Sequence, residues 1–177
     1  MAVRQVLASV LLAVAAAKMK CPGSSAWIHS GMKITSFTSA TCDVVKEEAI
    51  LRVANQYRGW HDPHNNGTYA VAKPSLGGDI SFTRVTGDGK YTDKMIISLT
   101  DEDGRMCRIE GCSESQVTSL MDFGTNYCNL KMLWCGKADG CKVVSHDFTT
   151  TNEKTESMKQ ASVDMSKCQK VATELLV

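Results

Sequence analysis

Eight cysteines are the feature that most constrains how this chain of 177 residues can fold. They are Cys21, Cys42, Cys107, Cys112, Cys128, Cys135, Cys141 and Cys168. An even number of cysteines in an exported protein favours a full set of disulfide bonds. No two of them have CxxC spacing, so a zinc site or a redox-active thiol is not favoured. The sequence therefore predicts a scaffold held by four disulfides, without a cofactor.

The pairing of the cysteines stays open, because eight cysteines allow about 105 pairings. Closeness along the chain suggests pairs across short turns, Cys107 with Cys112 and Cys135 with Cys141. By the same argument Cys21 would lie near Cys42, and Cys168 could tie the C-terminal segment to Cys128. Each bridge would stabilise the fold by about 2–4 kcal/mol.

The N-terminus predicts export from the cell. After Arg4, residues 6–17 are apolar except for Ser9, and the run ends in three alanines before charge resumes at Lys18. This order is typical of a secretory signal peptide at residues 1–17, followed by one secreted cysteine-rich domain at residues 18–177. A buried or membrane-anchoring helix is the alternative. The run is shorter than the roughly 20 apolar residues that span a bilayer, so no stable membrane insertion is expected.

The charge balance excludes one class of partner. The chain has 20 Lys and Arg against 19 Asp and Glu, a net charge of +1 that falls to zero if Arg4 is removed with the signal peptide. A protein that binds the phosphate backbone usually has a basic excess, so nucleic acid is not an expected partner. A chain 43% hydrophobic and 22% charged is typical of a globular domain.

One amphipathic helix is predicted at residues 43–58. Val45, Ala49, Val53 and Tyr57 recur every four residues and would form its buried face. Asp43 is the predicted N-cap, and Gly59 would end the last turn.

Runs with a two-residue period follow this helix and predict strands. The runs lie at residues 68–73, 80–85, 91–99, 106–110 and 127–135, and a further extended segment is expected at 142–150. Residues 114–121 fit a short helix or a strand. Residues 153–170 are predicted to form a loop or a terminal helix held by Cys168.

The predicted fold class is therefore α+β, with an N-terminal helix packed on an antiparallel β-meander of about four to six strands. Two layouts fit this composition of elements, a cystatin-like roll and a lipocalin-like barrel. The barrel would place its helix near the C-terminus, whereas the sequence predicts the helix before the strands. The predicted order of elements therefore favours the roll.

A short segment extends the comparison with cystatins. The segment Thr83-Arg84-Val85-Thr86-Gly87 lies in a predicted hairpin and resembles the inhibitory hairpin of cystatins, which carries Q-x-V-x-G. Val85 and Gly87 match that motif, whereas Thr83 stands in place of the glutamine. The resemblance implies inhibition of papain-type cysteine proteases as one possible function.

Histidines supply the candidate chemistry. His61 and His64 flank Asp62 in a turn-rich stretch, and a second pair, His146 and Asp147, occurs later. If the fold brings these residues together, they could bind a metal or act as acid and base in a hydrolase. The density of Pro, Asn and Gly around His61 and His64 nevertheless favours a solvated surface turn.

The neighbouring residues suggest other roles. Trp60 is a candidate contact residue if exposed, and otherwise a core residue at the helix end. Asn66-Gly67-Thr68 is an acceptor for N-glycosylation.

Taken together, these features favour a secreted, disulfide-stabilised binding protein for an extracellular protein or a small ligand. The alternatives are a hydrolase or metal-dependent enzyme that uses the histidines, and a cystatin-like inhibitor.

Overall fold

The computed structural model describes residues 19–72, 78–159 and 161–170, so the predicted signal peptide lies outside the described residues. In chain order, the elements are β1 (Gly31–Thr38), α1 (Cys42–Ala54), β2 (Thr68–Val71), β3 (Ile80–Val85), β4 (Thr92–Glu102), β5 (Met106–Ser115), α2 (Thr125–Trp134), a 3-10 turn (Lys137–Asp139), β6 (Thr151–Ser157) and α3 (Met165–Cys168).

The six strands form one antiparallel sheet in the order β2-β3-β4-β5-β1-β6. The meander from β2 to β5 follows the chain, and β1 then pairs with β5 from the other side. Because α1 connects β1 to β2 at the far edge, it crosses one face of the sheet. The predicted α+β class, with a helix on an antiparallel sheet, is confirmed.

The hydrophobic core lies between this face and the helices. Met32, Ile34, Met95, Ile97 and Ile109 point inward from the central strands and are at most 1% exposed. The buried side of α1 and most of α2 cover them. Burying each such side chain stabilises the fold by about 1.5–3 kcal/mol.

Helix α1 confirms the predicted helix but has other ends. Thr41, not Asp43, is the N-cap, since its side chain accepts a hydrogen bond from the Val44 N–H. The helix stops at Ala54, and Tyr57 already has a left-handed φ of 62°. The four-residue repeat of apolar residues in the sequence therefore extends to Tyr57, three residues beyond the end of the helix.

The strand predicted at residues 127–135 is wrong, because this segment forms α2. Every residue from Asn126 to Trp134 is buried. A helix buried on all sides has no polar face, so its pattern cannot be told from that of a buried strand.

The C-terminal elements also differ from the sequence predictions. Residues 142–150, expected to be extended, contain no regular element. The strand β6 lies instead at Thr151–Ser157, where every side chain is exposed and no hydrophobic alternation marks it. The open segment 114–121 is divided between the end of β5 and a loop. The expectation of a C-terminal element held by Cys168 is met by α3.

All eight cysteines form disulfides: Cys21–Cys112, Cys42–Cys107, Cys128–Cys168 and Cys135–Cys141. The last two pairs confirm the predictions, and the proposed pairs Cys107–Cys112 and Cys21–Cys42 are wrong. Cys107 and Cys112 both lie on β5, where five residues span about 17 Å and an odd separation points side chains to opposite faces. Cys107 and Cys112 therefore cannot reach each other. Each forms a disulfide with a segment on its own side of the sheet, Cys107 with Cys42 and Cys112 with Cys21.

Within the described ranges, no helix combines the length and the apolar character that crossing a membrane requires.

Candidate functional site

A polar row crosses the inner face of the sheet at one end. Strand pairing places Tyr69 beside Arg84, Arg84 beside Asp93, and Asp93 beside Ser115. All four side chains are at most 3% exposed. Two residues further along the strands, the same face carries the buried apolar pair Phe82 and Met95. The inner face of the sheet therefore changes from apolar to polar over two residues of each strand.

A cavity of about 320 Å³ opens next to this row. Its wall comes from the β3–β4 hairpin, the end of β5, the loop before α2 and the first residues of α2. The volume is within the range of sites for small molecules.

Two buried carboxyl groups face the cavity. Asp93 is 2% exposed and Asp122 is 4% exposed. Burial raises the pKa of Asp93, although hydrogen bonds from Asn129 and Ser115 and the charge of Arg84 oppose it. Burial also raises the pKa of Asp122, and the negative charge of Asp93 adds to that rise. Burial therefore makes the ionised form of both carboxyl groups costly in the absence of a bound cation.

Amides and hydroxyls connect the two carboxyl groups. Asn129 donates from Nδ2 to Asp93 at 2.8 Å and to Ser113 at 3.1 Å. The Ser113 hydroxyl donates to Asn126, which in turn donates to Asp122 at 2.8 Å. This network orients both carboxyl groups without neutralising them.

The Arg84 guanidinium lies beside this network and already has a partner. Arg84 is fully buried and forms an ion pair of 2.8 Å with Asp62. Asp62 also accepts a hydrogen bond from the Tyr69 hydroxyl at 2.9 Å and one from the His64 N–H at 2.8 Å. Arg84 therefore offsets Asp62 first, and in the described residues neither Asp93 nor Asp122 forms an ion pair.

His64 lies at the cavity wall with a defined tautomer. Its Nδ1 is 3.0 Å from the Lys167 carbonyl oxygen, which can only accept, so Nδ1 carries the proton. Its Nε2 is then an acceptor, 3.3 Å from the Thr125 hydroxyl and 3.1 Å from the Asn65 amide. Burial lowers the pKa of His64, with the charge of Arg84 adding to the effect.

Apolar side chains form the rim. Met121 and Phe123 line the cavity yet are 66% and 69% exposed, and Tyr91 is 44% exposed. Phe123 has a left-handed φ of 49°, which is unusual for a bulky residue. The site is thus acidic at its base and apolar at its mouth.

The structure does not bring the predicted histidine cluster together. His64 lies at the cavity, whereas His61 is exposed and stacks on Tyr57. His146 is 3.1 Å from Glu47 on α1, and Asp147 accepts a hydrogen bond from the Lys137 N–H. Asp62 accepts a hydrogen bond from the backbone N–H of His64, while its carboxylate pairs with Arg84. Each residue has its own local partners, so a shared hydrolytic centre is not assembled.

The other predicted site residues divide between core and surface. Trp60 is 1% exposed and packs near Tyr69, so it belongs to the core. In the hairpin compared with cystatins, Val85 is 37% exposed and the Gly87 N–H donates to the Asn65 carbonyl. Asn66 is exposed, as an acceptor for glycosylation must be. Protease inhibition and glycosylation stay predictions.

Metal ligands converge at a single place in the described ranges. Ligand atoms of Cys21, Cys112 and Glu114 lie within 4.8 Å of one another. The two cysteines form a disulfide, so neither offers a thiolate.

A second cavity, of about 260 Å³, lies on the outer face of the sheet. Its lining residue Arg108 pairs with Glu110 at 3.3 Å and with Glu102 at 2.8 Å.

Of the residues at this site, Asp93 is the one that the sequence pattern could have indicated. Asp93 lies on the buried face of β4 together with Met95 and Ile97, as the two-residue period of the run at 91–99 places it. An acidic residue on an apolar face is expensive to bury and often marks a site. No local pattern pointed to Asp122, Thr125 or Asn126.

Comparison with protein-family models, with curated proteins and with solved structures finds no match for this chain.

Proposed function

We propose that this protein is a secreted binding protein that holds a small organic cation, a protonated amine with an apolar or aromatic group, in the cavity beside Asp93 and Asp122. Four disulfides fit a protein of an oxidising compartment. The predicted signal peptide supports export.

The pair of buried carboxyl groups carries the proposal. A buried carboxylate is costly, and here two of them face one cavity, where the nearby Arg84 is already paired with Asp62. An ammonium group bound between them would supply the missing charge and would donate up to three hydrogen bonds. Hydrogen bonds to charged groups are worth about 1.5–3 kcal/mol each.

The apolar side chains at the rim indicate the chemical character of the part of the ligand that does not carry the charge. Tyr91, Met121 and Phe123 offer exposed apolar surface at the mouth of the cavity. Contact with an aryl or alkyl group would bury this surface, and an aromatic face can also attract the cation. An aralkylamine matches both parts of the site.

Isothermal titration calorimetry with phenethylamine and its uncharged analogue phenethyl alcohol tests the proposal. The amine should bind at least about tenfold more tightly, and Asp122→Asn should remove that preference, because one charge-assisted hydrogen bond is lost. Asp101→Asn, near the end of β4 and outside the lining of the cavity, is the matched control and should leave binding unchanged. Equal affinity for amine and alcohol would contradict the proposal.

The pH dependence gives a second test. Binding of the cation needs ionised carboxyl groups, and burial raises the pKa of both Asp93 and Asp122. Affinity should therefore decline on acidification, beginning above the ordinary aspartate value of 3.8. An affinity that is constant as the pH falls through this range would count against both carboxylates as ligands.

Export would also expose Asn66 to glycosylation. Its side chain is solvent-exposed, and Asn65 beside it lines the cavity. Treatment of the secreted protein with a glycosidase should reduce its mass, and Asn66→Gln should abolish that change. An unchanged mass of the wild-type protein would exclude the modification.

A further inference from the structure

The cavity contains a hydroxyl group paired with an imidazole. Thr125 is the first residue of α2, and its Oγ1 lies 3.3 Å from Nε2 of His64. Both residues line the cavity, and His64 is 8% exposed. A hydroxyl becomes a useful nucleophile when an adjacent base can take its proton, and this pair has that geometry.

The imidazole is held in the tautomer that the chemistry requires. The Lys167 carbonyl oxygen accepts from Nδ1 at 3.0 Å, so Nε2 is the acceptor, with the Asn65 amide at 3.1 Å and the Thr125 hydroxyl at 3.3 Å. The disulfide Cys128–Cys168 fastens the residue after Lys167 to α2, one turn beyond Thr125. A covalent bond therefore fixes the carbonyl that orients the base to the helix that carries the hydroxyl.

Unusual backbone conformations lie on both sides of the pair. Asn65 has a φ of 52° and Phe123 a φ of 49°, both left-handed. Non-glycine residues held in this region often cluster at functional sites. The Asn65 amide lies 3.1 Å from Nε2 and 3.5 Å from the Thr125 hydroxyl, where it could donate to an oxygen of a bound molecule.

We propose that Thr125 is a nucleophile, that His64 is its general base, and that the cavity hydrolyses small carboxylic esters. Thr125 Oγ1 attacks the ester carbonyl carbon while His64 Nε2 takes the hydroxyl proton. Collapse of the tetrahedral adduct breaks the bond to the alkoxy oxygen, which takes that proton and leaves as the alcohol.

The second half of the reaction restores the protein. His64 takes a proton from a water molecule, whose oxygen attacks the acyl-threonine carbonyl. The bond to Oγ1 then breaks, Thr125 regains a proton from His64, and the carboxylic acid leaves. The sum is one ester and one water converted to one acid and one alcohol.

The proposal is tested with p-nitrophenyl acetate, by following nitrophenolate release and by locating the acetyl group with peptide mass spectrometry. An acetyl group on Thr125 of the wild-type protein is the expected result, and it requires no variant to fold. Thr125→Ala should lower the rate by at least about 100-fold, and Thr125→Ser, which keeps a hydroxyl, should retain the adduct.

The histidines provide matched controls. His64→Asn should slow acylation by about 100-fold, whereas His61→Asn and His146→Asn should leave the rate unchanged, since neither residue lines the cavity. Acetylation only at lysine or at other histidines would overturn the proposal. So would a wild-type rate in Thr125→Ala.

This activity goes beyond ligand binding and is separable from it. Calorimetry with phenethylamine and mass spectrometry of Thr125 after reaction with p-nitrophenyl acetate report the two properties separately on the wild-type protein. Thr125→Ala should abolish acetylation at this position while amine binding persists. Loss of one property alone therefore identifies which of the two proposals fails.

Discussion

Glu48 lies fully buried on α1 and accepts four hydrogen bonds. Three come from the N–H groups of Val144, Ser145 and His146, and the fourth comes from Arg52 at 2.8 Å. Burial acts to raise the pKa of Glu48, but these hydrogen bonds outweigh it and the pKa lies below its ordinary value. One carboxylate thus fastens an irregular loop to a helix.

The first prediction is that Glu48→Gln destabilises the protein by about 3–5 kcal/mol, because Arg52 would become an unpaired buried charge. Since the folded pKa of Glu48 is lowered, its contribution is present above about 4.5 and is lost as the pH falls through the folded pKa. Urea denaturation at pH 7 and in acid should show a difference that shrinks with acidification.

The matched control is the neighbouring residue. Glu47 is exposed and contacts only His146 in the described part of the chain. Glu47→Gln should therefore change the stability by less than about 1 kcal/mol. Equal losses in the two variants would show that burial of Glu48 is not what matters.

The second prediction concerns Asp122, whose folded pKa burial raises. A group with a raised carboxyl pKa contributes stability below its unfolded value of 3.8, and that contribution is lost as the pH rises through the folded pKa. Asp122→Asn keeps an oxygen to accept from Asn126 and removes the buried charge. We expect the ligand-free variant to be more stable than the wild type by on the order of 1 kcal/mol at pH 7.

Denaturation at two pH values checks this prediction. The advantage of Asp122→Asn should be present at pH 7 and should disappear toward strong acid, where the wild-type carboxyl group is also neutral. A variant less stable than the wild type at pH 7 would mean that the charge of Asp122 stabilises the N-terminal end of α2 more than burial costs.

At the scale of elements, α2 packs closely on β5 because β5 has a glycine at the point of contact. Gly111 faces the helix, and an added Cβ would lie 2.7 Å from Trp134 and 3.1 Å from Leu130. Both side chains are fully buried. The close approach of helix and strand therefore needs glycine at this position because of space and not because of its φ.

The third prediction follows from that contact. Gly111→Ala should cost about 1–3 kcal/mol, since the core must shift to admit a methyl group. Trp134→Phe removes the ring edge nearest to the new methyl. In thermal denaturation, the double variant should lose less stability than the sum of the single losses. Simple additivity would mean that the two groups do not clash.

The elements that were predicted correctly are those whose pattern has one buried face. Helix α1 buries Val45, Ala49 and Val53 and exposes its other side, so a four-residue repeat is visible. The hairpin β3–β4 has alternating burial and a Gly-rich turn. Helix α2 is buried on all sides and β6 is exposed throughout, so neither shows a period.

At the scale of the whole molecule, the disulfides differ in the length of chain that they close. Cys21–Cys112 and Cys42–Cys107 join residues 91 and 65 positions apart. Cys135–Cys141 joins residues only 6 positions apart. Both long bridges end on β5, so they attach the segment before β1 and the first residue of α1 to a central strand.

The fourth prediction is that the long bridges contribute more to stability than the short one. Loss of loop entropy in the unfolded chain gives about 4–5 kcal/mol for Cys21–Cys112 and about 2 kcal/mol for Cys135–Cys141. The paired variants Cys21→Ala/Cys112→Ala and Cys135→Ala/Cys141→Ala can be compared by guanidinium denaturation. If removal of Cys135–Cys141 lowered the stability more than removal of Cys21–Cys112, contacts in the folded protein and not loop entropy would explain the effect of the short bridge.

The sequence by itself determined the α+β class, the four-disulfide scaffold, helix α1 and the central hairpin, because each depends on composition or on a repeat within a few residues. Only the tertiary structure decided the site. Asp93 meets the α2 residue Asn129 from a position 36 residues away, and His64 meets Thr125 across 61 residues. Such contacts depend on sheet order and on a disulfide, and no local repeat encodes which distant strand or helix becomes a neighbour.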